Sequence, residues 1–175
     1  RLSEARGRFI VEAAAGGELG TMLAARADVE SVKAALAGVE SVTLANYNAP
    51  RQLVLSGSAA ASEQARQALA TRDIATAPLA VAAAFHSPIV EPAQARLAAS
   101  MAELPFQPPA FAVYGNATAA AYPGDPAAIR DLLAAHLAAP VNFTGEIEAM
   151  YAAGARVFLE VGPRAVLTRG SGERR

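Results

Sequence analysis

The chain contains no cysteine in its 175 residues. Disulfides and thiolate metal sites are therefore excluded, and a cytoplasmic setting is the expectation. Histidine is scarce: only His86 and His136 occur, which leaves metal chemistry little to work with. No apolar run approaches the ~18 residues of a membrane span. The charged start, Arg1 to Arg8, has no long apolar stretch after it and does not read as a signal peptide. Neither charge sign dominates, with 15 Lys plus Arg against 16 Asp plus Glu and a net charge of -1. The basic residues are scattered, so neither nucleic acid nor a membrane is expected as a partner.

What the chain has in plenty is small apolar residues. Hydrophobic residues make up 53%, and alanine carries much of that. The expected core is one of small side chains and closely spaced helices.

Residues 19–82 alternate legibly. Leu19 to Ala25 is strand-like, and Asp28 to Leu36 is helical with Asp28 as N-cap. Val42 to Tyr47 is strand-like, and Asn48-Ala49-Pro50-Arg51 has turn chemistry. Gln52 to Ser56 alternates, with Leu53 and Leu55 on one face. Ser58 to Arg72 is helical, and Ala75 to Val81 is a closing strand. The order βαββαβ is the ferredoxin-like split unit.

Beyond it, residues 88–104 read as a helix ended by Pro105, and Phe111 to Tyr114 as a short strand. Asp125 to Leu137 is a helix with Pro126 at its first position. A further helix opens at Pro140 and runs to about Ala153, with Gly154 as C-cap. Arg156 to Val161 reads as a buried strand. This alternation predicts an α/β class with a parallel sheet flanked by helices. Arg1 to Ala5 reads as the middle of a helix without a start signal. Residues 169–175 read as a linker or tail. A piece of a longer polypeptide is the expectation.

The most informative stretch is Ala83-Ala84-Phe85-His86-Ser87-Pro88-Ile89. The apolar run from Leu79 to Phe85 delivers His86 to the point where a helix begins. Ser87 can cap that helix, Pro88 suits its first position, and Glu91 suits its first turn. By placement alone, His86 is either a capping neighbour or a presented catalytic group.

Ala83 to Pro88 resembles the segment around the catalytic histidine of malonyl-CoA:acyl carrier protein acyltransferases, above all the acyltransferase domains of polyketide synthases. Further segments follow in that family's order. They are Arg6-Gly7-Arg8-Phe9, Gly20-Thr21-Met22-Leu23-Ala24, and Asn46 to Gln52 with Val54 and Ser56-Gly57. Pro140-Val141-Asn142-Phe143 and Glu160-Val161-Gly162-Pro163 complete the series. Together they cover nearly the whole chain.

The resemblance implies a fold: a ferredoxin-like small subdomain, residues 19–82, inserted in an α/β-hydrolase-like large subdomain. Residues 1–18 and 83–168 would be part of the latter, only its second half being in this chain. It also implies chemistry. A serine on a Gly-His-Ser-x-Gly elbow attacks the malonyl thioester, a histidine takes its proton, and backbone N–H groups hold the oxyanion. The acyl-serine then passes to the phosphopantetheine thiol of an acyl carrier protein. The domain itself needs no bound cofactor; malonyl-CoA and phosphopantetheine are substrates. Neighbouring synthase domains would be further partners.

By the same resemblance His86 is the base, and Arg6 grips the malonyl carboxylate through paired hydrogen bonds. Phe85 favours malonyl over methylmalonyl by crowding an α-methyl. His136 aligns with a position, often Gln, whose carbonyl orients the imidazole. Asn48 and Gln52 are pocket-edge or turn residues. Two departures stand out. Ala83 replaces the family's usual histidine, which bears on extender choice. No Gly-x-Ser-x-Gly occurs, so the nucleophile would precede Arg1 and these residues alone would not turn over. The alternatives are a non-catalytic module that docks a carrier protein, and a freestanding malonyl transacylase of fatty-acid synthesis.

Overall fold

The computed structural model describes residues 2–13, 18–162 and 167. The expected tail, residues 169–175, and Pro163 lie outside them.

Helix α1 (Leu2–Ala13) leads into β1 (Thr21–Ala25), α2 (Val29–Ala35), β2 (Val42–Ala49), β3 (Gln52–Gly57), α3 (Ala59–Ala70) and β4 (Thr76–Leu79). The four strands form one sheet in the order β2-β3-β1-β4, every neighbour antiparallel. Strand β3 therefore lies between the two strands that α2 connects. The helices begin where short polar side chains satisfy free backbone donors. Asp28 accepts from Ser31 N–H at 2.9 Å, and Ser58 from Ala61 N–H at 3.0 Å. Each such cap stabilises its helix by about 1 kcal/mol.

Alternation along the strands sorts side chains to two faces. Leu23, Ala25, Leu53 and Leu55 bury against Val32, Ala65 and Leu69 of α2 and α3. Met22, Ala45 and Val54 cluster apart from them, and Phe85 packs on these three. A separate helical core joins Phe9 and Ile10 of α1 to Ala93, Leu97 and Met101 of α4 (Glu91–Met101). Ala134 and Leu137, from α5 (Pro126–Ala135) and just beyond it, complete that core. Alanines at these contacts let the helix backbones approach closely. Phe85 touches both this core and the Met22 cluster, so it sits where helices and sheet meet.

Several expected boundaries move. The turn of the first hairpin is Pro50–Arg51 alone, because Asn48 and Ala49 belong to β2. Strand β4 stops at Leu79. A single 3-10 turn, Pro88–Val90, precedes α4. Ser87 does not cap it: its buried hydroxyl donates back to the Ala84 carbonyl at 2.6 Å. The strand expected at 111–114 shrinks to β5 (Tyr114–Gly115), which pairs with β6 (Ala120–Ala121), and Phe111 is exposed. The last helix, α6 (Phe143–Ala152), starts after Asn142, whose side chain accepts from Gly145 N–H at 3.0 Å. It does not open at Pro140, because Val141 is engaged elsewhere. Val141 bridges β2 in parallel, donating to the Ala45 carbonyl and accepting from Tyr47 N–H, each at 2.8 Å.

The expected buried strand at 156–161 is neither buried nor a strand. Val157, Leu159 and Val161 are 88%, 85% and 90% exposed. A strand needs a neighbour to pair its backbone and cover its side chains. No described residue forms a β-ladder with this segment. The expected parallel sheet is likewise absent among the described residues, which show only the Asn46–Val141 bridge. No helix among them is long and apolar enough to cross a membrane.

Candidate active site

The loop after β4 folds back over the sheet because Ala84 N–H donates to the Leu19 carbonyl at 2.7 Å. That bond sets the residues around 84 beside the start of β1. Two residues on, His86 adopts φ +58°, the left-handed region. Such a conformation costs a non-glycine residue about 1–2 kcal/mol. The surrounding bonds hold it there, with the Ser87 hydroxyl closing the turn onto Ala84.

The His86 imidazole is half-buried, and its Nδ1 points at two carbonyl oxygens: Ala139 at 2.9 Å and His136 at 3.2 Å. Carbonyls only accept, so Nδ1 carries the proton and Nε2 keeps its lone pair. Burial pushes the imidazole below its ordinary value, the two carbonyls oppose that, and the Arg6 guanidinium adds to it. His86 is thus kept as a neutral base with an assigned free nitrogen.

The imidazole lines a cleft of about 520 Å³ between α1, the sheet and the 79–86 loop. Arg6, Asn46, Asn48 and Phe85 share the wall with Ile10, Met22 and Val54. Arg6 is the one charged side chain on that wall among the described residues. The two arginines of α1 separate here. Arg8 ion-pairs with Glu12 at 3.7 Å and lies over the Phe9 ring. Arg6 faces the cleft and has no ion pair among the described residues. An unpaired guanidinium beside a neutral base, in a largely apolar cleft, suits a small acyl group that ends in a carboxylate.

His86, Arg6, Phe85 and Asn48 are brought together. Gln52 is not. It sits exposed at the hairpin end, opposite Ala49, on the face of Val54 but outside the cleft lining. His136 meets His86 from the other side, its ring 5.4 Å away, centroid to centroid. Asn46 also lines the cleft, and its buried Oδ1 has no hydrogen-bond partner among the described residues. Register shifts in β2 on either side of Asn46 and Tyr47 re-aim these side chains. The Ala139 carbonyl had no sequence signal, because any residue offers one.

A half-buried histidine and an arginine with no ion pair among the described residues line one cleft between an antiparallel sheet and a helical core, in a protein of the α/β class. The family description "Acyl transferase domain" matches residues 3–173, and the chain belongs to that family. It is 35% identical over 172 residues to the malonyl CoA-acyl carrier protein transacylase of Salmonella typhimurium, spanning 96% of this chain and 55% of that one. It is 32% identical over 167 residues to a spectinabilin polyketide synthase protein of Streptomyces orinoci, spanning 95% of this chain and 8% of that one. Among solved structures, a malonyl-transacylase in complex with a type II polyketide synthase acyl-carrier protein superimposes with a TM-score of 0.91 at 32% identity. That match covers 98% of this chain and 56% of the other. The acyltransferase domain from the second module of the salinomycin polyketide synthase gives 0.86 at 34% identity, covering 99% and 40%. The chain spans about half the length of the freestanding transacylases it matches.

Proposed function

We propose that this chain carries the base and the carboxylate receptor of a malonyl-CoA:acyl carrier protein acyltransferase. The observation that carries the reading is the pairing, on one cleft wall, of His86, fixed as an Nδ1–H tautomer, with Arg6, which has no ion pair among the described residues. In the first half-reaction, His86 Nε2 takes the proton of a serine hydroxyl as that oxygen attacks the thioester carbon. The carbon–sulfur bond breaks, and the proton passes to the departing CoA sulfur. In the second, His86 takes the proton of the carrier's phosphopantetheine thiol. The sulfur attacks the acyl-serine, and the serine oxygen recovers the proton. Arg6 holds the malonyl carboxylate through both steps. Asn48 borders the acyl group, and Phe85 faces its α-carbon.

The sequence holds no Gly-x-Ser-x-Gly, so the serine belongs to polypeptide outside these residues. The exposed apolar run at 157–161 supports the same view. Its composition suits a buried parallel strand, and its neighbours would come from that other part. The finer architecture we propose is a ferredoxin-like unit, residues 19–82, set into an α/β-hydrolase-like subdomain. The strand order β2-β3-β1-β4 supports the first of these. The likeness to the salinomycin domain supports a polyketide synthase setting, with an acyl carrier protein as partner.

The experiment is His86→Ala in the full-length protein, with malonyl loading from malonyl-CoA followed by intact-protein mass spectrometry. Loading should fall on the order of a hundredfold or more. Loading at the parental rate would remove His86 from the mechanism. A parent protein that binds the carrier but never acquires malonyl would favour the docking-module alternative.

A further inference from the structure

His136 places two different groups against His86, and only one of them is accounted for. Its carbonyl accepts from Nδ1 at 3.2 Å, a task any residue performs. Its side chain is a second imidazole, tilted 39° to the first with ring centroids 5.4 Å apart. Its Nε2 is buried and has no hydrogen-bond partner among the described residues. A stranded buried nitrogen is destabilising. A leucine, like its neighbours Leu133 and Leu137, would fill the same space without that cost. Packing alone therefore does not explain a histidine here.

We propose that the His136 side chain is a positioning residue for His86, a neutral ring that walls the catalytic imidazole from water and lets the pair hold one proton. The inference rests on His86 being the base. The charged or titratable groups that act on the two rings come from three elements. Arg6 of α1 faces both, and each ring faces the other, His86 from its loop and His136 from the end of α5. No carboxylate among the described residues acts on either. A proton arriving on His86 during catalysis therefore meets positive charge from Arg6 and no counter-charge. The same proton, once on His86, opposes a second on His136, which burial already disfavours. His136 stays uncharged through the cycle. On its far side it lines a separate cavity of about 250 Å³, where Leu97, Met101, Leu133 and Leu137 pack beside it and Ser3 and Arg6 share the lining.

The test is the pH dependence of kcat/KM for malonyl transfer by the full-length enzyme. His136→Ala opens the wall, rehydrates His86 and makes it easier to protonate. The acid limb should move to higher pH by about half a unit or more. His136→Gln, neutral and of similar reach, should keep the parental limb. A limb that stays in place in His136→Ala while the plateau falls would reduce the side chain to a structural role and overturn the inference. A second readout needs no turnover. In His86→Ala, the His136 ring protons followed by NMR should titrate at higher pH than in the parent, because a like charge is gone. An unmoved titration would equally overturn it. Retained loading by His86→Ala would instead defeat the base assignment, which is a separate result.

Discussion

The Nδ1 of His86 lies 2.9 Å from the carbonyl oxygen of Ala139, across 53 residues of chain. Two residues further, Val141 bonds to β2 on both sides. One short strap, residues 136–141, thus fixes the tautomer of the base and docks on the edge of the sheet whose face lines the cleft. The base and the pocket wall are positioned by the same backbone.

Arg6→Ala should weaken malonyl loading far more than acetyl loading. A hydrogen bond to a charged group is worth about 1.5–3 kcal/mol, so malonyl should lose roughly ten- to a hundredfold. Parallel single-turnover measurements with malonyl-CoA and acetyl-CoA decide it. An equal loss for both would make Arg6 a structural residue.

Phe85→Ser should raise methylmalonyl relative to malonyl loading. The ring lines the cleft directly before His86, and a small side chain removes its bulk. The shift should be modest, because one methyl group in a pocket is worth only ~1–3 kcal/mol. Competition between the two CoA thioesters, read by mass spectrometry, measures the ratio. An unchanged ratio would leave Phe85 as packing between the two cores.

Gly20→Ala should destabilise the fold and depress activity together. Gly20 has φ +68°, and a Cβ there would lie 2.5 Å from the Gly57 carbonyl oxygen and 2.6 Å from the Ala84 Cβ. Backbone must shift, and Ala84 belongs to the loop that carries His86. Overpacking of this kind costs typically ~1–3 kcal/mol. Thermal melts beside loading rates check it; a parental melting temperature would refute the contact.

Glu146→Gln should stabilise the protein at neutral pH and do little near pH 4.5. Glu146 is half-buried with an unpartnered Oε2, and burial raises its carboxyl above the ordinary value. A raised carboxyl favours the folded state while protonated. Its contribution is full below the unfolded value and is lost as pH rises through the folded one. Gln removes that loss, so the two melting curves should converge on acidification. A difference independent of pH would assign the effect to something other than ionisation.

The small sheet was legible because each of its signals is local. Asp28 and Ser58 cap where their side chains predict, and Leu53 and Leu55 share a face by simple alternation. The role proposed for the His86 loop was legible only through its likeness to a family. Placement alone left His86 open, and the pattern misassigned Ser87, whose hydroxyl serves its own turn. Gln52 reads from sequence as a pocket-edge or a turn residue, and it stands at the hairpin end. The hairpin carries it two residues past Val54 and out of the cleft.

The sequence by itself determined the βαββαβ order, the helix caps at Asp28 and Ser58, and the family. These depend on periodicity, caps and short motifs that act over a few residues. Only the tertiary structure decided that Arg8 and not Arg6 has an ion pair among the described residues, which nitrogen of His86 holds the proton, and that the His136 ring lies beside that of His86. The last two depend on contacts between segments dozens of residues apart. The run at 157–161 follows the same rule from the other side. Its composition asks for a strand, but a strand is a property of two segments, and none of the described residues supplies the second.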